Sequence, residues 1–196
     1  GEAPQGLLVP LTNYGNVATI AFAEGDSLPS LAAARPTAPD RFKALLSDLH
    51  ILDEGVVLEV AMPLALLETW AAVPRTDRDF VSPEEQTAAA MVLETLLTKG
   101  YELQVDGRPL TLDIESARVL GPVESLEASP PAARRWSAHT ARVAVRLRSK
   151  LTTPPRHVVL RWGLLNNAVL EAEVALHAGG TRRVHHLTAY APELRW

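Results

Sequence analysis

Apolar and polar residues alternate with the two-residue period of a β-strand through much of the second half of the chain. In HTARVAVRLRSK, residues 139–150, the basic side chains fall on one face and the apolar ones on the other: Ala141, Val143, Val145 and Leu147. RHVVLRW and AVLEAEVAL contain longer apolar runs, which are typical of central strands. The chain after Gly100 is therefore predicted to be mainly strand.

A turn signal at Asp106-Gly107 predicts a β-hairpin between YELQV and RPLTLDI. A two-residue loop at this point pairs Leu103 with Leu110. That register places the apolar side chains of both strands on one face, which supports the hairpin. The following segment, ESARVLGPVESLE, is predicted to be a strand broken at its Gly-Pro pair, and ASPPAARR is predicted to be a loop.

The first half of the chain mixes strands with loops. Short apolar runs predict strands at residues 6–11 and 16–23, and three prolines predict a surface loop over residues 24–40. A turn at residues 53–55 precedes the strand EGVVLEVAM. The apolar side chains of this strand share one face: Val56, Leu58, Val60 and Met62.

Three segments of the first half predict helices. DRFKALLSDLH, residues 40–50, is predicted to form a short helix capped by its first residue. PLALLETWAA, residues 63–72, begins with a proline, which suits the first position of a helix. The strongest pattern predicts a helix over residues 83–99, because Ser82 and Glu85 have the spacing of a capping box.

These elements predict a chain that is mainly β with inserted helices, an α+β fold. About nine or ten strands and two or three helices, with the strands clustered late, favour an antiparallel β-sandwich of two layers. Regular alternation of strand and helix, which a parallel sheet requires, is absent from the pattern. We expect one β-rich domain over residues 1–196, with helices near residues 63–72 and 83–99.

The strand HVVLRW ends in Trp162, which could serve as a core tryptophan. In this respect the later strands resemble immunoglobulin-type and fibronectin-type sandwiches. The resemblance covers a few residues, and the two predicted helices and the lack of a cysteine pair depart from the pattern. It implies an architecture that is loosely immunoglobulin-like, and it implies no activity.

The composition and the motifs of the chain exclude several kinds of functional site. The 196 residues include no cysteine, which excludes disulfides, thiolate zinc sites and a cysteine nucleophile. No stretch approaches the roughly 18 apolar residues of a membrane helix. No nucleophile-elbow, zinc-protease, P-loop or dinucleotide-binding motif occurs in the sequence. We therefore predict no cofactor and no metal site.

The net charge of −4 conceals two oppositely charged halves. Residues 1–127 carry 20 acidic and 8 basic side chains, whereas residues 128–196 carry 3 acidic and 11 basic ones. The halves could attract each other within one fold, or the basic half could face an external partner. We favour the internal interpretation.

The adjacent histidines His185 and His186 could indicate a metal site, but the geometry of a strand argues against one. Neighbours on a strand point to opposite faces, so the two side chains should not bind one ion. If Gly179-Gly180 is a two-residue hairpin turn, Glu173 lies opposite His186, where the two form a cross-strand charged pair. His177 lies near the tip of this hairpin, too far along the ladder to act as a third ligand.

A calcium loop is a second interpretation that fails. Asp77 and Asp79 have the spacing of its first ligands, but Ser82 and Ala88 occupy the positions that need glycine and glutamate. An enzymatic site built from scattered loop residues stays an alternative. Its candidate residues are Asp77, Asp79, Glu84, His139 and His157.

The candidate binding residues are a row of arginines and one tryptophan. Arg142, Arg146 and Arg148 share the polar face of a strand, where they could bind an anionic ligand or pair with acidic neighbours. The row lacks interleaved aromatic residues, so we expect no nucleic-acid partner. Trp136 follows a proline-rich loop, and if it is exposed it would favour a glycan- or solute-binding module.

We expect a non-enzymatic, extracytoplasmic domain of a bacterial protein that acts in binding or assembly. Its partner would be another protein or another domain of the same chain. The final residues, LTAYAPELRW, lack a polar tail, so we expect the natural protein to continue beyond Trp196.

Overall fold

The computed structural model describes residues 45–121, 124, 126, 134–167 and 169–196. This part of the chain is mainly β and belongs to one compact unit, Phe42–Trp196. The predicted strands at residues 6–11 and 16–23, the proline-rich loop and the start of the first predicted helix lie outside the described residues. A single domain over residues 1–196 stays a prediction.

The described residues form two helices and twelve strands. The helices are α1, Leu64–Leu67, and α2, Pro83–Leu97. The strands are β1 Leu45–Leu52, β2 Gly55–Pro63, β3 Phe80–Val81, β4 Tyr101–Val105, β5 Arg108–Pro109, β6 Asp113–Leu120, β7 Trp136–Ser137, β8 Arg142–Lys150, β9 Val158–Trp162, β10 Glu171–Ala178, β11 Thr181–Thr188 and β12 Glu193–Arg195.

The strands form three sheets. A six-stranded sheet has the order β11-β10-β1-β2-β8-β6, a four-stranded sheet has the order β12-β9-β4-β5, and β3 pairs with β7. Neighbouring strands are antiparallel, as predicted, with one exception among the described pairs: β1 and β10 run parallel. The fold is thus β-rich with few helices, and its longest described helix is the predicted one.

The helix predicted over residues 40–50 is wrong for the described residues, because Leu45–Leu52 is the strand β1. The leucine spacing in this segment fits either period. The structure selects the period of two, because Leu45, Leu49 and Ile51 are buried while the alternate side chains are not. β1 lies between β10 and β2, and this pairing on both edges overrides the local helical pattern.

Helix α2 confirms the predicted capping box. The Ser82 hydroxyl accepts a hydrogen bond from the Glu85 amide, and the Glu85 carboxylate accepts one from the Ser82 amide. The helix buries Ala89, Leu93 and Leu97. These contacts fix both its starting point and the face it turns to the core.

Helix α1 is shorter than the predicted helix over residues 63–72. Pro63 is the last residue of β2, and after Leu67 the backbone tightens into turns in which amides bond to the third preceding carbonyl. The Trp70 indole donates a hydrogen bond to the Leu164 carbonyl at 3.2 Å, which ties this turn to a distant loop. Trp70 is partly buried against the core.

The predicted hairpin at Asp106-Gly107 is confirmed at its turn but not over the full length of its second strand, and the one at Gly179-Gly180 is confirmed. At the first, Asp106 and Gly107 have φ values of 49° and 77°, and the Leu110 amide donates to the Leu103 carbonyl at 2.9 Å. Its second arm is short, because the chain leaves β5 after two residues and crosses to β6 of the other sheet. At the second, the register of β10 and β11 is the predicted one, with Glu173 opposite His186.

One continuous core joins the inner side of the six-stranded sheet to α2 and the four-stranded sheet. Its large, fully buried members include Leu49 and Leu58 of the first sheet, Leu93 of α2, and Leu160 and Trp162 of the second sheet. Trp162 is therefore a core tryptophan, as predicted. The Tyr101 ring meets it edge-on, and burial raises the pKa of the Tyr101 phenol.

Candidate functional site

The six-stranded sheet has a mainly apolar inner face and an outer face on which ionisable side chains lie beside buried apolar ones such as Val57. Along β1, Leu45 and Leu49 are buried in the core, whereas Asp48 and His50 are partly exposed on the opposite side. The pairing registers extend this alternation across the neighbouring strands. We call the Asp48 side of this sheet the outer face. Its ionisable side chains on the four central strands include Asp48, His50, Glu59, Arg146, Arg148, Glu173 and His177.

The outer face is ordered in rows that run across the strands. Because β1 and β10 are parallel and in register, His50 lies beside His177. In the next row, Asp48 lies beside Glu59, and Glu59 lies beside Arg146. The sheet therefore places acidic, basic and imidazole side chains at fixed spacings of about 5 Å.

Asp48, His50 and His177 form the most closely packed group on the outer face, which we call the histidine–aspartate cluster. The His177 Nε2 atom lies 2.8 Å from Asp48 Oδ1. The rings of His50 and His177 stack with their centroids 4.3 Å apart and their planes 11° apart. One ligand atom from each residue lies within 4.8 Å of the others, and all three side chains are partly buried.

The cluster depends on one short-range and one long-range relationship. Asp48 and His50 share a face because they are two residues apart on a strand. His177 joins them through the parallel pairing of β1 with β10, across 129 residues from Asp48. The alternating Asp-x-His spacing was a usable signal for the cluster, but the leucine pattern of this segment predicts a helix, in which these side chains do not share a face.

The arginine row on β8 lies among carboxylates of the outer face. Arg146 Nη1 lies 3.3 Å from Glu59, and its Nε lies 3.2 Å from Glu115 at an angle outside hydrogen-bond geometry. Arg148 lies 3.8 Å from Glu115. Arg142, at the start of β8, donates to the Glu124 carbonyl at 3.4 Å. Arg146 and Arg148 thus pair with acidic neighbours, whereas the hydrogen bond of Arg142 to Glu124 is to a backbone carbonyl.

Ion pairs join the acidic half of the chain to the basic half. Among the described residues they include Glu59–Arg146, Asp77–Arg135, Glu115–Arg146, Glu115–Arg148 and Glu124–Arg134, and two carboxylate–imidazole contacts, Asp48–His177 and Asp79–His139, join the same halves. This supports the internal interpretation of the charge asymmetry. All of these pairs are at least partly exposed, so each stabilises the fold by about 1 kcal/mol or less.

Trp136 is half-buried rather than an open platform. A Cβ added to Gly121 would lie 2.3 Å from its ring, so glycine is what allows this close approach. The Arg134 guanidinium stacks on the ring at 3.8 Å from the centroid. Both contacts take up ring surface that a sugar would need for stacking.

The adjacent histidines lie as predicted. His185 and His186 occupy neighbouring positions of β11, so their side chains point to opposite sides of the sheet. His186 shares the outer face with Glu173, whereas His185 lies on the inner side opposite Val174. They therefore do not converge on one ion.

Four of the five residues proposed for a scattered enzymatic site lie in loops, and the fifth, Glu84, lies in the first turn of α2. His139 Nε2 is 3.4 Å from Asp79 Oδ1, and these side chains are 76% and 72% exposed. His157 lies elsewhere, where its amide donates to the Asp106 carboxylate at 2.8 Å. The exposure of the Asp79–His139 pair is the opposite of the deep pocket that the enzymatic alternative requires.

Other acidic side chains of this region serve the fold. Asp77 accepts hydrogen bonds from the Asp79 amide and from Arg135, and these hold the pKa of its carboxyl below the usual value.

A shallow depression of about 390 Å³ beside the first hairpin is lined by residues of β4 and β5, including Tyr101 and Gln104. It contains none of the five proposed enzymatic residues.

No protein-family model matches the chain, and no curated protein matches it in sequence. Among the described residues, no helix has the length and apolar character needed to cross a membrane. Within the same residues, the histidine–aspartate cluster is the group with the composition and spacing of a metal-ligand set.

Proposed function

We propose that this chain is a non-enzymatic binding or assembly domain, and that the outer face of the six-stranded sheet is its binding surface. The partner is another protein or another domain of the same chain. The observation that carries the proposal is the ordered set of ionisable side chains on that face, which a rigid sheet holds in rows. We further propose a loosely immunoglobulin-like β-sandwich in an extracytoplasmic bacterial protein, for which the β-rich pattern and proline-rich connections give support.

The size of the outer face supports a protein partner. Six strands spaced about 4.8 Å apart, each about eight residues long, present on the order of 600 Å². A stable protein interface buries about 800 Å² on each partner. The outer face could therefore supply most of this area, and a specific partner would also contact residues at its rim.

The charges on the outer face support a protein rather than a nucleic acid. Arg146 and Arg148 alternate with the carboxylates of Glu59 and Glu115, at 3.2 to 3.8 Å. A phosphate backbone would meet these carboxylates, which costs affinity. A partner with charges of both signs can complement such a surface, and this pattern fixes its orientation.

Site-specific photo-crosslinking tests the proposal. A photoreactive amino acid replaces Val184, which is 40% exposed on the outer face, in the full-length protein in its source organism. The matched control position is Met91 on α2, which is 61% exposed. We expect a discrete covalent adduct from position 184 and none from position 91. Adducts from neither position, or equally from both, would contradict the proposal.

A further inference from the structure

We infer that Asp48, His50 and His177 form a binding site for a divalent transition-metal ion of the zinc class. Two imidazoles and one carboxylate are a ligand set that such ions take in proteins. One ligand atom of each residue already lies within 4.8 Å of the others. The inference goes beyond the proposed protein-binding role, because an ion can bind whether or not a partner covers the outer face.

Side-chain rotations on a fixed backbone would bring the cluster to coordination geometry. Bonds of about 2.0–2.2 Å in a tetrahedral site place the ligand atoms about 3.4 Å apart. His177 Nε2 and Asp48 Oδ1 are closer than this, at the hydrogen-bonding distance of 2.8 Å, so they would move slightly apart when both bind an ion. The rings of His50 and His177 are stacked with their planes only 11° apart, so their in-plane lone pairs do not yet meet. A metal ion lies in the plane of each imidazole that binds it, so at least one of the two rings must rotate about its side-chain torsions before both can bind one ion.

The backbone beneath the cluster is rigid, which favours the ion. All three residues project from paired strands, and β1 is hydrogen-bonded on both edges. The conformational entropy that is lost when the three ligands are brought together is therefore lost on folding and not on ion binding. Glu59 in the neighbouring position on β2 adds negative charge near the site, whereas Arg182 on β11 lies opposite His177 and adds positive charge.

Three protein ligands leave a coordination position for water or for a group from another molecule. The cluster is partly exposed, so that position can open towards the solvent on the outer face. A bound ion would also link β1 to β10 through side chains. It would stabilise the folded state by mass action, since the unfolded chain lacks the site.

Calorimetric titration of the tag-free chain with ZnCl₂ tests the inference, together with Co²⁺ absorption as a report on ligand type. We expect one ion per chain, visible absorption typical of low-coordinate Co²⁺ with nitrogen ligands, and a higher melting temperature with Zn²⁺. Asp48→Asn and His177→Gln should each weaken Zn²⁺ binding by at least about tenfold. His186→Gln is the matched control, because it removes an imidazole from the same face outside the cluster, and it should leave the affinity unchanged.

Failure would be visible in any of three results. The proposed site is wrong if the chain binds no Zn²⁺, or if the two cluster variants bind Zn²⁺ as tightly as the wild type. It is also wrong if His186→Gln lowers the Zn²⁺ affinity as much as the cluster variants do. Circular dichroism of every variant shows whether it is folded. If His177→Gln unfolds, Asp48→Asn still tests the site, because asparagine has nearly the same size as aspartate. The photo-crosslinking result is independent of this one, so the two proposals can fail separately.

Discussion

The Nε2 atom of His177 lies 2.8 Å from Oδ1 of Asp48, although 129 residues separate the two in the chain. The contact exists because β1 and β10 run parallel and in register at the centre of the six-stranded sheet. The same register stacks His177 on His50. A single long-range pairing thus creates the histidine–aspartate cluster and sets the order of the outer face.

The assignment of residues 45–52 to a central strand predicts unequal costs for two leucine truncations. Leu49 is fully buried, so Leu49→Ala should lower the free energy of unfolding by about 2–5 kcal/mol. Leu52, at the end of the same strand, is 44% exposed, and Leu52→Ala should cost about 0.5 kcal/mol or less. Urea denaturation measures both values. Equal costs would contradict the strand, because a helix here would bury a different set of side chains.

Glu85 predicts a pH dependence of stability. Hydrogen bonds from the backbone amides of Ser82 and Thr76, and from the Thr76 hydroxyl, lower the pKa of its carboxyl from 4.5 to about 2. Because the folded-state pKa is depressed, its contribution is fully present above about pH 4.5 and is lost as the pH falls towards 2. Glu85→Gln should flatten the stability profile in this window.

The control for this experiment is Glu84→Gln, which removes a carboxylate from the next position of the same helix turn. Glu84 is exposed, so this variant should keep the slope of the wild type. Thermal melts recorded through the acidic range measure the slopes. A wild-type slope in Glu85→Gln, or a flattened one in Glu84→Gln, would show that the bonds to Ser82 and Thr76 do not set the dependence.

The close approach of Gly121 to Trp136 predicts that a single methyl group is harmful there. A Cβ at position 121 would lie 2.3 Å from the ring, so Gly121→Ala must displace Trp136 and should cost about 1–3 kcal/mol. At Gly163 the nearest atom to an added Cβ is 3.5 Å away, so Gly163→Ala is the matched control and should be tolerated. Chemical denaturation measures the stability of each variant, and near-ultraviolet circular dichroism reports on the environment of the Trp136 ring. If Gly121→Ala is as stable as the wild type, the close contact with Trp136 does not exist.

The two arginines of the outer face should differ in their contribution to stability. Arg146 contacts two carboxylates and its side chain is 30% exposed, so Arg146→Gln should cost about 1 kcal/mol. Arg148 contacts one carboxylate at 3.8 Å and is 43% exposed, so Arg148→Gln should cost about 0.5 kcal/mol or less. Denaturation at low and high salt distinguishes them. A larger cost for Arg148→Gln would contradict the assigned pairing.

Features that depend on near neighbours in the chain were predictable from the sequence. The Ser82–Glu85 capping box is set by a spacing of three residues, and the β10–β11 register is set by a two-residue turn at Gly179-Gly180. Trp162 was predictable as core because the strand HVVLRW is apolar. In each case the information lies within about ten residues.

The cluster was not predictable in this way. The leucines of residues 45–52 fit both a helix and a strand, and the choice depends on β10, more than 120 residues away. Once this segment is assigned to a helix, Asp48 and His50 no longer share a face, and His177 has no neighbour. The error in one element therefore removed the whole candidate site.

The parallel register of β1 with β10 brings His50, His177 and Asp48 together, and the candidate site depends on it. The most direct test is a nuclear Overhauser spectrum of the chain with labelled histidine. Rings stacked at 4.3 Å predict strong cross-peaks between the ring protons of His50 and His177, and these should disappear in His50→Gln. If both rings are assigned and no cross-peak joins them in the wild type, the register is wrong and the histidine–aspartate cluster does not exist.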